Sequence, residues 1–176
     1  MSEKKERKYK FSLDVLGTDT DEVRPSLGVG TTLAVYRLFQ FTLRDILEQH
    51  YGTDTTDDLF REAGVLAGKS FYELFCKDVK DLNDLVKTVQ DKFRELAIGI
   101  VRLEQSDTDK MQFRLTVDED LDCSGLPDTM EQICVYDEGL IQGIFEAFSG
   151  EKFHVREIDC WCSGERTCRF EAKMVK

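Results

Sequence analysis

The sequence predicts an α+β domain in which N-terminal helices are followed by ββαββ, the four strands forming one antiparallel sheet. Three observations carry this reading. Apolar residues recur at spacings of three and four between Leu33 and Leu96, the period switches to alternation after Gly99, and the remainder runs strand, strand, helix, strand, strand. At 176 residues the chain is long enough for one sizeable core and too short to favour two. We divide it into an N-terminal arm over residues 1–23, partly flexible, and a single domain over residues 24–176.

The arm opens on a mixed-charge leader over residues 1–10, and Tyr9 to Leu16 reads as a short strand or an extended segment. Arg24-Pro25-Ser-Leu27-Gly28-Val-Gly30 is turn-rich and leads into the first helix, with Thr31 or Thr32 able to cap it. That helix carries a core-facing stripe of Leu33, Tyr36, Phe39, Leu43, Ile46 and Leu47. A second, from about Thr56 to Phe75, places Gly64 and Gly68 four apart, so that another backbone can come close. The third starts at the N-cap Asp81 and repeats Leu82, Leu85, Val86, Val89, Phe93 and Leu96.

Gly99 to Glu104 and Met111 to Val117 read as a hairpin joined at residues 106–109, with Met111, Phe113, Leu115 and Val117 on the buried face. An acidic connection from Asp118 to Pro127 leads to a helix from about Gln132 to Phe148, closed by Gly150. Phe153 to Cys160 and Thr167 to Met174 are the last strands, turning around Ser163-Gly164-Glu165.

The formal charge of −11 and a pI near 4.7 argue against a nucleic-acid partner, which needs a basic face. No apolar run approaches the roughly 18 residues that span a bilayer, and the N-terminus lacks the hydrophobic segment of an export signal. The expectation is a cytoplasmic protein with no membrane partner. Four of the six cysteines fall after residue 130, an uneven distribution that favours metal binding over a disulfide framework. Cys76 and Cys123 are read as bystanders.

The chemistry concentrates between Cys134 and Cys168. A hairpin turning about Gly164 sets Cys160 opposite Cys168, close enough for two thiolates to share an ion. Regular pairing, however, would bury Arg156 and expose Phe153. One extra residue, a β-bulge at Ile158 or Asp159, restores the apolar face and turns Glu157 toward the cysteines. Cys134, in the first turn of its helix, completes the set. Three thiolates and a carboxylate suit a closed tetrahedral zinc site, structural by default. Cys162 competes for a ligand position, and Lys152, Arg156, Arg166 and Arg169 are candidates to offset the charge.

Arg24-Pro25-x-Leu27-Gly28, Asp122-Cys-Ser-Gly125-Leu-Pro127, Cys134-x4-Gly139-x3-Gly143, Glu157-x2-Cys160 and Gly164-x3-Cys168 together resemble the 4-vinyl reductase domain family of hydrocarbon-binding proteins. Its fold is shared with phenol-sensing activator domains, haem-based nitric-oxide sensors and vesicle-tethering subunits. The resemblance implies zinc on Cys134, Glu157, Cys160 and Cys168. It also implies an apolar ligand pocket, for which Phe113, Leu115, Tyr136, Leu140, Ile144, Phe153 and Val155 are the candidates. A homodimer built from the N-terminal helices follows by the same analogy. His50 and His154 are read as surface residues rather than haem ligands. The leading expectation is a non-catalytic, zinc-containing sensor or carrier of a small hydrophobic molecule that signals through a separate partner. The alternatives are an accessory protein or reductase in tetrapyrrole metabolism, although no nicotinamide or flavin motif is present, and a dimeric assembly protein without a ligand.

Overall fold

Three helices come first: α1 (Leu33–Tyr51), α2 (Thr53–Phe71) and α3 (Leu82–Glu95). The hairpin of β1 (Ile100–Asp107) and β2 (Gln112–Asp118) follows, then α4 (Val135–Ser149), and last the hairpin of β3 (Phe153–Asp159) and β4 (Cys168–Met174). This computed structural model describes residues 8–16 and 24–175. Residues 1–7 of the expected leader and 17–23 of the expected arm lie outside the described residues. Leu13–Leu16 forms a 3-10 turn rather than a strand.

The sheet is antiparallel throughout, in the order β1-β2-β4-β3. The final strand therefore lies inside, with Cys168 opposite Val117 of β2. Helix α4 is layered between the sheet and α2, while α3 lies against β1. Phe113, Leu115 and Val117 are buried as their alternation requires. Thr116, on the other face, is buried too. Its register partners are Arg102 and Arg169, whose long stems cover the small hydroxyl between them.

Backbone contact joins α2 to α4. A Cβ on Gly64 or Gly68 would overlap the carbonyl oxygens of Tyr136 or Leu140, and one on Gly139 or Gly143 would overlap those of Arg61 or Val65. The expected close approach of Gly64 and Gly68 is thus met by a matching glycine pair on α4. Glu138, buried on the same helix, accepts from Arg61 Nη2 at 2.7 Å and from the Glu157 amide at 2.8 Å. One carboxylate so ties α2, α4 and β3 together. Glu146 does similar work two turns on, pairing with Lys69 and Lys152.

Two elements depart from the sequence reading. No residue of α1 is buried, and Leu33, Phe39, Leu43 and Ile46 of its apolar stripe are exposed. The helix rests on α2 and on the loop after β2 with a different side, where Tyr36, Arg37, Gln40, Phe41 and Arg44 are half-buried. Helix α4 begins three residues later than expected, which makes Cys134 its N-cap rather than a first-turn residue. Among the caps, Asp81 accepts from the amides of Asn83 and Asp84 at 2.9 and 3.0 Å, whereas Thr32 occupies the N-cap of α1 without a side-chain bond. Gly150 closes α4 in the left-handed conformation, φ 76°.

Candidate metal centre

The bulge that turns Glu157 inward is present. Glu157 pairs with Phe170 and Asp159 with Arg169, leaving Ile158 as the extra residue. Phe153, Val155 and Glu157 are consequently buried on one face, with His154 and Arg156 exposed on the other. Arg169 pairs with Asp159 and Glu104, fastening the bulged strand across the sheet.

Cys160 follows β3 directly, Cys168 opens β4, and Cys134 stands at the amino end of α4. The centre lies where these three elements meet. Cys134 Sγ is 3.8 Å from both Cys160 Sγ and Cys168 Sγ, about the edge of a tetrahedron built on Zn–S bonds of about 2.3 Å. A fourth sulfur joins them. Cys123, expected as a bystander, has its Sγ 3.1 Å from that of Cys168, and all four sulfurs lie within 4.8 Å of one another. The loop over residues 119–127 brings it there. That cysteine belongs to the Asp122-Cys-Ser-Gly125-Leu-Pro127 motif, the signal by which it could have been included.

Glu157 borders the cluster. Its Oε2 accepts the Cys134 amide at 3.2 Å, the donor that an N-cap residue leaves outside the helical ladder. Its Oε1 is buried without a partner. Cys162, buried near the turn, stands outside the group of four, and its carbonyl accepts the amides of Thr129 and Met130 at 2.9 and 2.8 Å. Cys76 is buried in the π turn after α2. Among the described residues all six thiols are unpaired.

The electrostatics suit a cation. Hydrogen bonds from Cys123, Cys134 and Cys168 hold the Cys160 thiol far below its ordinary value, so the metal-free cluster is a thiolate ringed by thiols. Burial pushes Glu157 up to about 9, helped by the charge on Cys160. Burial likewise lifts Asp120 to about 7, with Asp122 adding to it, and raises Asp137 and Asp122. Asp120, Cys134 and Asp137 form a second close group sharing the Cys134 sulfur. The basic residues expected to offset this charge are occupied elsewhere: Lys152 by Glu146, Arg156 by Glu138 and Arg169 by Glu104 and Asp159, while Arg166 is exposed. Cysteine-rich donors with near-tetrahedral edges fit zinc, whose bound thiolates take the place of the protons they release.

The expected pocket residues divide. Phe113 stacks on Phe145 with ring centroids 4.9 Å apart, and Phe145 on Phe153 at 5.2 Å; these rings fill the core. Val155 and Leu140 are buried, and Tyr136 is half-buried on α4. Leu115 and Ile144 line a cavity of about 40 Å³ between α3, the first hairpin and α4, closed by Leu85, Val89, Phe93 and Ile141 among others. Every residue lining it is apolar.

Comparison with known proteins agrees with this geometry. Residues 113–174 match the family model of the vinyl-4-reductase domain, a third of the chain that contains Cys123, Cys134, Cys160, Cys168 and Glu157. An uncharacterized protein of Methanocaldococcus jannaschii is 26% identical over 149 residues, 85% of this chain and 81% of its own. The phenol-responsive sensory domain of the transcription activator PoxR, solved with phenol, superposes with a TM-score of 0.64 at 18% identity, over 82% of this chain and 75% of that one. A vinyl-4-reductase family protein from M. jannaschii gives 0.60 at 18% identity, over 97% and 100%. A trafficking protein particle complex subunit 3 from Naegleria fowleri, covalently bound to palmitic acid, gives 0.63 at 12%, over 82% and 95%. The chain thus carries a vinyl-4-reductase domain over residues 113–174, within a fold shared with a phenol-sensing domain, a vinyl-4-reductase family protein and a vesicle-trafficking subunit.

Proposed function

We propose that this protein is a zinc-containing module that binds a small hydrophobic or aromatic molecule without transforming it, and reports it to a separate partner. The observation that carries the ligand half is the cavity lined wholly by apolar side chains between α3, β1, β2 and α4. An apolar void offers water no partners and favours a hydrocarbon guest. Phenol and palmitic acid, named in two solved structures of this fold, are apolar or largely so. At about 40 Å³ the cavity is well below the roughly 150 Å³ that holds benzene in an engineered core, so a guest enters only as α3 moves outward from β1.

Zinc would be held by Cys134, Cys160 and Cys168, with Glu157 or Cys123 as the fourth ligand. It would contribute a closed tetrahedral clamp joining the start of α4 to the β3–β4 hairpin. The six unpaired thiols suit a reducing, cytoplasmic setting, and no helix among the described residues is long and apolar enough to cross a membrane. A homodimer through α1 is the matching assembly, since its exposed stripe of Leu33, Leu38, Phe39, Leu43 and Ile46 is larger than scattered surface residues explain.

The small cavity and this exposed stripe also favour a second reading, a dimeric assembly protein that needs no guest. Native mass spectrometry followed by denaturing extraction separates the two. One zinc per chain, a dimer and a co-purified apolar molecule are expected. A zinc-loaded dimer that carries no guest, and that gains no thermal stability from a panel of phenols, alkylbenzenes and fatty acids, leaves the assembly reading.

A further inference from the structure

Resting on the zinc reading above, we infer that Cys123 supplies the fourth thiolate of the centre, while Glu157 acts as a positioning residue that fixes Cys134. Two independent observations carry this. The first is the arrangement of the sulfurs. Cys123, Cys134, Cys160 and Cys168 are mutually within 4.8 Å, and Glu157 is outside that group. The nearer oxygen of Glu157 is already taken by the Cys134 amide, so the carboxylate orients the amino end of α4 and, with it, the sulfur that follows.

The second is the construction of the Cys123 loop, which is more elaborate than a bystander thiol requires. Asp120 Oδ1 accepts the amides of Asp122 and Cys123 at 2.8 and 3.3 Å. From α1, Tyr36 donates its hydroxyl to Asp122 Oδ1 at 2.7 Å. Arg37 spans the loop, its Nε donating to the Leu121 carbonyl at 3.0 Å and its Nη2 to that of Ser124 at 2.9 Å. From the other side Trp161 Nε1 donates to the Leu126 carbonyl at 3.1 Å. Residues on both flanks of Cys123 are therefore fixed by side chains far away in sequence. The unpartnered Oε1 of Glu157 is the one feature that favours the carboxylate as ligand, and it sets the choice of variants. A four-thiolate site has no open position, and it joins the otherwise loosely held α1 to the metal through Tyr36 and Arg37.

X-ray absorption at the zinc edge, with Co²⁺ substitution as a second probe, tests this on the full chain. Four sulfurs are expected in the wild type and in Glu157→Gln. Cys123→Ser should fall to three sulfurs and one lighter atom, and lose about a quarter of the thiolate-to-cobalt charge-transfer intensity. Three sulfurs and one oxygen in the wild type, with that oxygen lost in Glu157→Gln, would overturn the inference and leave the zinc reading intact. Failure of the wild type to bind either ion stoichiometrically overturns both. Should Cys123→Ser not fold, the wild-type and Glu157→Gln shells decide alone.

Discussion

Helices α1 and α4 both carry apolar residues at helical spacing, yet one is exposed along its stripe and the other is buried almost all round. In α4, Val135, Leu140, Ile141, Ile144 and Phe145 are buried together with Asp137, Glu138 and Glu146; in α1 no residue is buried at all. Apolar area contributes about 25 cal/mol per Å² only once a partner removes it from water. What separates the helices is the small residues. Gly139 and Gly143 let the α2 backbone reach α4, and α1 has no glycine and rests on its neighbours through Tyr36, Arg37 and Arg44. Helix α4 is therefore part of the fold's foundation, and α1 an attached element with a surface left over.

The sharpest way to break this comparison is at the glycines. Gly68→Ala or Gly143→Ala puts a methyl into the facing backbone, where no flexible side chain can yield. The expected loss is about 3 kcal/mol or more, the upper range of overpacking, read as a collapse of the urea midpoint. A change under about 0.5 kcal/mol, the scale of an exposed site, would mean that α2 and α4 are not in backbone contact. Arg61→Ala comes next. It strips Glu138 of its principal cation and leaves Arg156 at 3.8 Å. A broken buried pair typically loses roughly 3–5 kcal/mol, and with Arg61 partly exposed and Arg156 in reserve we expect about 2 kcal/mol, recovered by the double variant Arg61→Met/Glu138→Gln.

These elements were not equally legible in the sequence. Alternation in 111–117, the Asp81 cap and the bulge at Ile158 could be deduced because each follows from local geometry: strand parity allows Phe153, Val155 and Cys168 to share a face only with one inserted residue. The stripe of α1 was visible as a pattern, but periodicity says that a face wants covering and is silent on what covers it. Cys123 was missed for a related reason. It lies in a loop, without parity or heptad to aim it, and what brings it to Cys168 is a set of bonds from Asp120, Tyr36, Arg37 and Trp161 that come from separate places in the chain. The pocket went the same way. Alternation placed Phe113 and Phe153 inside, while their stacking on Phe145, which fills the space, depends on the height at which α4 crosses the sheet.

The metal-free protein should show an inverted response to pH. Burial raises Glu157 from 4.5 to about 9 and Asp120 from 3.8 to about 7, so the folded state holds protons that the unfolded chain releases near pH 4. Each contribution is fully present below that value and fades as pH rises through the folded pKa. In excess chelator the thermal midpoint should therefore fall by several degrees from pH 5 to pH 9. With zinc the trend reverses, since thiols surrender protons on binding and affinity rises with pH. A metal-free midpoint that climbs over the same interval would show the two carboxyls to be ionised in the folded chain.

The smallest effect on the fold, and the most telling about α1, belongs to Phe39→Ser with Leu43→Ser. Phe39 is 70% and Leu43 40% exposed, so within a monomer the pair should shift stability by no more than about 0.5 kcal/mol each. A second copy seated on that stripe would change the accounting, because each buried apolar side chain of this size contributes roughly 1.5–3 kcal/mol and a two-fold interface counts every residue twice. Sedimentation velocity of wild type and variant then gives opposite answers for the two situations. A wild-type dimer that becomes a folded monomer, with the circular dichroism of α1 retained through Tyr36 and Arg37, makes the stripe a partner surface. A dimer that survives both substitutions places the contact elsewhere and leaves α1 held only by the loop that carries Cys123.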